Sequence, residues 1–278
     1  MISHYTGAFV RALLVMVLIA TPSLMLPQVP SDTTQIVALV AIFAAALTFF
    51  EYASTYPGLV EFRDAPPFNR IRYLSLFATV LILSTIVRGQ TEPTTLTTFI
   101  EALGNKLGEV IDVPYSPVRL VVLMLPEDMS LRHLILVRTA AGIAYMISLM
   151  TLIVFVVVMR AMHWPARIGA FNVWINLPTF DPTTGGDVVD RLNRDARFNI
   201  ALGFLLPFLV PAAVKLASLA FSPVTLESPQ TLIWTMTAWA FLPASLFMRG
   251  IAMGRIAGMI AEKRRQNNPA GQSELLVA

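Results

Sequence analysis

Three basic side chains, Arg11, Arg138 and Lys215, fall inside long apolar stretches of this sequence. A charge in hydrocarbon is costly, so such a residue marks either a functional pocket or a long side chain that bends back to the interface. Arg138 and Lys215 stand near the same end of their respective stretches, no more than about 10 Å deep at 1.5 Å of rise per helical residue. At a shared depth they form a candidate anion pocket, a guanidinium beside an ammonium. Snorkelling, or pairing with Glu227, Glu127 or Asp128, is the first reading and the pocket the second. Arg11, near the other end of its stretch, reads as a snorkelling residue. Among the carboxylates only Glu51 reaches a stretch, at its edge. A buried acid of the kind that holds a coupling proton or sodium ion is therefore missing.

Other constellations with chemical content are few. Asp187-x-x-Asp190, followed by Asn193 and Asp195, could hold magnesium against a phosphate. The same acids are matched at four-residue spacing by Arg191 and Arg194, which makes an exposed, ion-paired helical turn the simpler reading. His4, His133 and His163 lie in separate segments, against a metal cluster or a haem pair. The chain has no cysteine, which excludes disulfides and thiolate chemistry. It carries no nucleophile elbow, zinc-protease or phosphate-loop motif. No catalytic, cofactor-binding or metal residue is assigned, and the chain reads as a non-enzyme. The sharpest short pattern is Gly250-x-x-x-Gly254-x-x-x-Gly258. This spacing aligns three glycines on one helix face, where another helix can approach closely. Packing within the bundle is the first reading, and docking of a partner or a second copy the next. Ala252 lies off that stripe.

These residues sit on elements that the hydropathy pattern defines. Mean hydropathy is +0.68, and charged residues make up 13% of the chain, against about a quarter in soluble domains. Six segments approach the roughly twenty apolar residues that span a bilayer: about 8–26, 33–52, 71–87, 134–159, 198–221 and 230–252. The fold class is an all-α, polytopic six-helix transmembrane bundle. Residues 1–265 form one membrane domain, and 266–278 read as a disordered tail. The first segment also resembles a secretory signal, but no Ala-x-Ala follows it, so an uncleaved helix is expected. Pro207, Pro211 and Pro243 free carbonyls within the last two spans.

The loops supply orientation. Those at 53–70 and 160–197 and the C-terminal end are rich in arginine and lysine, whereas 27–32 and 222–229 have neither. In the loop 88–133, acids outnumber bases. Basic residues stay on the cytoplasmic side, so both termini are expected there, in a bacterial-type inner membrane. Within 88–133, Leu96, Phe99, Ile100, Leu103, Leu107, Val110 and Ile111 recur at helical spacing, an amphipathic helix starting within Thr94–Thr98 and lying across the mouth of the bundle. Thr98 and Glu101 have the spacing of a capping box. Val118–Leu125 is too short to span and reads as extended chain or a re-entrant piece packed on protein. The loop region 51–72 reads as structured, Arg63, Arg70 and Arg72 facing Glu61 and Asp64. Trp164, Phe171 and Trp174 read as an interfacial anchor, and 187–197 as a helix running into span five.

The net charge of +3 is distributed at membrane ends and implies contact with anionic lipid, not nucleic acid. The partners expected are the bilayer and, through the glycine stripe, a membrane protein or a second copy. A structural, assembly or regulatory subunit is the leading functional expectation. An uncoupled transporter or channel for a small or anionic solute comes next, and a membrane enzyme acting on lipid or isoprenoid phosphate follows.

Overall fold

A computed structural model describes residues 2–27, 29–165, 172–181, 183, 185–221 and 223–267. Arg167 and Phe171, the side chain of Trp174 and the tail from residue 268 lie outside what is described. Among the described residues the chain is all helical: α1 (Ile2–Met25), α2 (Ser31–Ala53), α3 (Phe68–Gly89), α4 (Thr95–Ile111), α5 (Pro117–Met124), α6 (Leu131–Ala161), α7 (Val173–Asn176), α8 (Val188–Ala217) and α9 (Pro229–Asn267). Six of them, α1, α2, α3, α6, α8 and α9, are long and apolar enough to cross a membrane. The ends of α1, α3 and α9 that carry Arg11, Arg72 and Arg249 lie together; we call this the basic end, and the opposite one the loop end.

α6 is the central helix, packed on α3, α4, α5 and α9, while α8 and α9 form a long antiparallel pair. Their crossing depends on two glycines. A Cβ on Gly203 would stand 2.8 Å from Pro243 O, and one on Gly250 would stand 2.7 Å from Ala196 O. The glycine stripe does not act as a unit. Gly254 has only an ordinary 3.8 Å contact with Ala196, and Gly258 has nothing within 4 Å. Ala252, off the stripe, is fully buried. Only Gly250 of the three therefore has the close approach that the spacing suggested for all of them.

The start of α8 is set by Asp187, whose carboxylate accepts from the Val189 and Asp190 N–H groups. The charged segment and the fifth span are thus one helix, as expected. Pro207 and Pro211 stay within it. Because Pro211 has no N–H, Pro207 O loses its helical donor; Trp239 Nε1 of α9 supplies one at 3.1 Å. α9 continues past the expected span as far as Asn267, so Gln266 and Asn267 are helical where tail was expected. Arg264 pairs with Asp187 and ties this extension to α8.

α4 turns only part of its expected apolar stripe inward, with Ile100, Leu107 and Ile111 packed against the core. It begins within the expected window, but its capping box is Thr94 with Thr97. The Thr97 hydroxyl accepts from the Thr94 N–H at 2.7 Å, and Glu101 instead accepts from Gln90 Nε2. The buried residues are the small ones, Thr97, Gly104 and Gly108. Gly108 meets Gly142 of α6 so closely that a Cβ on Gly142 would lie 2.7 Å from Gly108 Cα. Thr139 Oγ1 donates to Asn105 Oδ1 across the same contact. Leu96, Phe99, Leu103 and Val110 point outward. At these positions the small residues let the backbones of α4 and α6 approach closely. α5 is a short helix rather than extended chain, begun by Ser116 and Pro117 and buried through Val118, Val121, Val122 and Met124.

Two apolar clusters fill the interior. Val80, Leu83, Ile86, Val121, Val137, Ile233 and Met236 belong to the cluster at the loop end. Phe62, Phe68, Phe155, Met159, Leu192, Met248 and Ile256 belong to the one at the basic end. A hydrogen bond from Thr151 Oγ1 to Ser75 Oγ (2.6 Å) joins α6 to α3. α2 packs on α1, and no comparable packing joins it to α3.

Candidate functional site

At the basic end, α1, α2 and α3 enclose a cavity of about 790 Å³. The loop between α2 and α3 forms its floor and is held rigidly. Glu51, in the last turn of α2, accepts from the Gly58, Leu59 and Val60 N–H groups. Arg63 donates to the carbonyls of Glu51 and Ser54 and forms a two-bond pair with Asp64. Its charge is thereby occupied within the loop. α7 pins the same loop from below: Phe62 N donates to Asn176 O at 2.7 Å, and Asp64 N to Asn176 Oδ1 at 3.1 Å.

Among the described residues, four arginines line this cavity, Arg11, Arg63, Arg70 and Arg72, with a single carboxylate, Glu61. Glu61 is already committed. Arg249 of α9 donates to it from Nε at 2.7 Å and from Nη2 at 2.9 Å, and Thr179 Oγ1 donates at 2.7 Å. Arg72 is held by aromatic faces, its guanidinium 5.4 Å from the Phe68 ring centroid and 5.9 Å from that of Phe241. Its one hydrogen-bonded neighbour is Asn69 Oδ1 at a long 3.5 Å, and its Nε is buried with no partner. Arg11 lies 4.7 Å over the Tyr52 ring and folds back along α1 toward Gly7. Arg70 is exposed at the rim. None of Arg11, Arg70 and Arg72 is in an ion pair among the described residues.

Chemically, this is a site for negative charge. Guanidinium forks match phosphate and carboxylate geometry and stay protonated at any accessible pH. Three of them around one cavity repel each other unless an anion sits between them. The cavity offers no free base for proton transfer, since Glu61 is fully hydrogen-bonded. Among the described residues no three His, Cys, Asp or Glu side chains converge.

The residues singled out from sequence lie elsewhere. Arg138 faces Glu109 of α4 at 3.7 Å, and its Nε is buried without a partner. Lys215 is exposed in the last turn of α8. Among the described residues, no hydrogen bond or ion pair joins Lys215 to Arg138, which pairs instead with α4. Asp187 is occupied by the α8 cap and Arg264. Arg255, at the end of α9, donates to the Met159 and Trp164 carbonyls and so closes the end of α6. In the sequence, Arg63, Arg70 and Arg72 read as topology markers facing Glu61 and Asp64; among the described residues only Arg63 makes such a pair, with Asp64, and the cavity that the three share is not evident from their spacing. The readable signal was Phe68, four residues before Arg72 and hence on the same helix face.

Comparison of the chain with protein-family profiles, curated proteins and solved structures finds no match.

Proposed function

We propose that this chain is a multi-pass protein of a bacterial-type inner membrane, with both termini cytoplasmic, that binds a phosphate-type anion at its basic end. In this reading it serves as a non-enzymatic structural, assembly or regulatory subunit. One observation carries it: Arg11, Arg70 and Arg72 share a cavity whose only carboxylate is already bonded to Arg249 and Thr179. The orientation rests on the distribution of basic residues among the loops. The subunit role is supported by the filled interior together with the apolar lateral faces of α2 and α8, among them Leu39, Phe43, Phe50, Phe204 and Leu209. Association with a partner helix over the glycine stripe belongs to the same proposal, and Gly254 and Gly258 are the two positions with room for one.

A second reading, uncoupled passage of a small anion, draws on the same cavity. Such a path would have to cross the layer of Val80, Leu83, Ile233 and Met236, all fully buried. The enzyme reading needs acids that converge on the cavity, and Glu61 is the one carboxylate among its described lining residues. Thermal unfolding of the purified chain in phosphate and in chloride of equal ionic strength tests anion binding. Phosphate at tens of millimolar should raise Tm in the native chain and not in Arg70→Met or Arg72→Met. Equal Tm in both salts would remove the reading.

A further inference from the structure

We infer that the anion is the headgroup of a phosphate-bearing lipid with net negative charge, drawn from the leaflet at the basic end, whose chains leave the cavity between α2 and α3. The inference rests on the anion-binding reading above and adds the ligand class and its route. Three observations lead to it. The cavity lining is mixed, with Leu14, Val15 and Leu74 as apolar wall residues besides the arginines. A free phosphate has no use for such a wall, whereas an acyl or isoprenoid chain does. The second observation is the gap: α2 leans on α1 without packing on α3, and Leu74 at that seam is 63% exposed. The third is depth. Arg11 meets Tyr52, one residue from the end of α2, and Tyr73 hydrogen-bonds Leu14 O at 2.9 Å across the α1–α3 seam. Tyrosines at helix ends mark the headgroup level of a bilayer, so the unpaired guanidiniums lie where lipid phosphates lie.

The headgroup must carry net negative charge. A choline or ethanolamine group would bring a cation against Arg70 and Arg72, whereas a phosphomonoester brings up to two negative charges to three guanidiniums. Lipid phosphates elsewhere on the surface meet basic side chains that water also reaches; here Arg72 is pinned between Phe68 and Phe241 with its Nε shut away from solvent.

The test uses the full chain in detergent, incubated with dioleoyl phosphatidic acid or dioleoyl phosphatidylcholine, with retained lipid counted by native mass spectrometry and inorganic phosphate as competitor. We expect one retained phosphatidic acid, little phosphatidylcholine, and displacement by phosphate only at concentrations about a hundredfold above the lipid's. Arg70→Met should weaken retention about tenfold, the loss of one charge-assisted contact, and Leu74→Trp should block it by filling the seam. Both positions are exposed, so these variants fold even where Arg72→Met does not. Arg-dependent phosphate binding with no tighter hold on the lipid would overturn the lipid assignment and leave the anion site standing. Binding of neither would remove both. Lipid retained equally by the native chain, Arg70→Met and Leu74→Trp would place it on the outer surface and overturn the inference.

Discussion

Glu61 and Arg249, 188 residues apart in sequence, form a two-bond ion pair that fastens the α2–α3 loop to α9. The carboxylate is 14% exposed and the guanidinium 24%, so the pair lies between a surface bridge and a buried one. Removing one partner from such a pair leaves the other half-buried and uncompensated. Glu61→Gln should therefore destabilise the chain by about 2 kcal/mol, between the values for exposed and buried pairs. Glu61→Gln combined with Arg249→Met should cost less than the two single changes added together. Thermal unfolding of the four proteins in one detergent measures that coupling, and strict additivity would show that the pair contributes nothing. Glu61→Gln should also tighten anion binding, since it removes the cavity's only negative charge.

Trp239 and the two prolines of α8 make a second coupled set. Pro211 cannot donate to Pro207 O, and Trp239 Nε1 does so in its place. Trp239→Phe keeps an aromatic ring beside Tyr145 but leaves that carbonyl buried without a donor, at a cost of about 1–3 kcal/mol. In a Pro211→Ala background the helix regains its own N–H at that position, and Trp239→Phe should cost well under that. Equal losses in the two backgrounds would mean that the ring, not the hydrogen bond, carries the contribution.

How much of this was legible in the sequence depends on what surrounds each residue. The six spans follow from run length alone, because a bilayer demands about twenty apolar residues whatever they touch. The single helix from Val188 to Ala217 could be read as well, since Asp187 is a cap residue placed just before it. Which face of α4 turns inward could not. Periodicity finds the stripe of Leu96, Phe99, Ile100, Leu103, Leu107, Val110 and Ile111, but not that Ile100, Leu107 and Ile111 alone of it pack on the core, beside the small residues Gly104 and Gly108. Spacing likewise could not tell which glycine meets a helix: Gly142 and Gly203, outside any glycine pattern in their own helices, make tight contacts, and Gly258, inside one, makes none. The basic cavity was hidden because an arginine in a loop already has a complete explanation as a topology signal. Only the fold shows that Arg72 turns inward.

The glycines give a direct comparison. A methyl on Gly142 would meet backbone atoms of Gly108, Cα at 2.7 Å and N at 3.1 Å, which cannot move aside as a side chain can. Gly142→Ala should destabilise by about 1–3 kcal/mol, the cost of overpacking a filled contact. Gly258→Ala meets open space and should gain up to about 1 kcal/mol from helix propensity. Gly254→Ala, with its nearest neighbour at 3.8 Å, should resemble Gly258→Ala. Thermal aggregation in detergent ranks the three, and loss of stability in Gly258→Ala would show that a helix docks there.

The orientation proposal is checked on a clean background, since the chain has no cysteine. Lys106 of α4 and Glu262 of α9 are both exposed and at opposite ends of the bundle. With both termini cytoplasmic, a membrane-impermeant thiol reagent on intact cells should label Lys106→Cys and spare Glu262→Cys. Labelling of Glu262→Cys alone would reverse the orientation and move the basic cavity to the outer leaflet.

Asp187 couples the cap of α8 to the end of α9, and it does so in a pH-dependent way. The hydrogen bond from Arg264 above all, followed by the Asp190 and Val189 N–H groups, holds its carboxyl below the usual carboxylate range. A group whose folded-state pKa is depressed stabilises the fold fully above its ordinary pKa, about 4 for aspartate. That stabilisation fades as pH falls through the depressed value, because the protonated acid can no longer accept from Arg264. Hydrogen exchange of the α9 amides from Gly258 to Asn267, corrected for the intrinsic pH dependence, should stay constant from neutral pH down to about 4 and accelerate below it. Asp187→Asn should show faster exchange at neutral pH and no further change on acidification. Arg264→Met should resemble it at the α9 end while leaving the α8 cap protected. An acid-induced change of the same size in Asp187→Asn would assign the titration to another group and leave the Asp187–Arg264 contact without a role in holding the helix end.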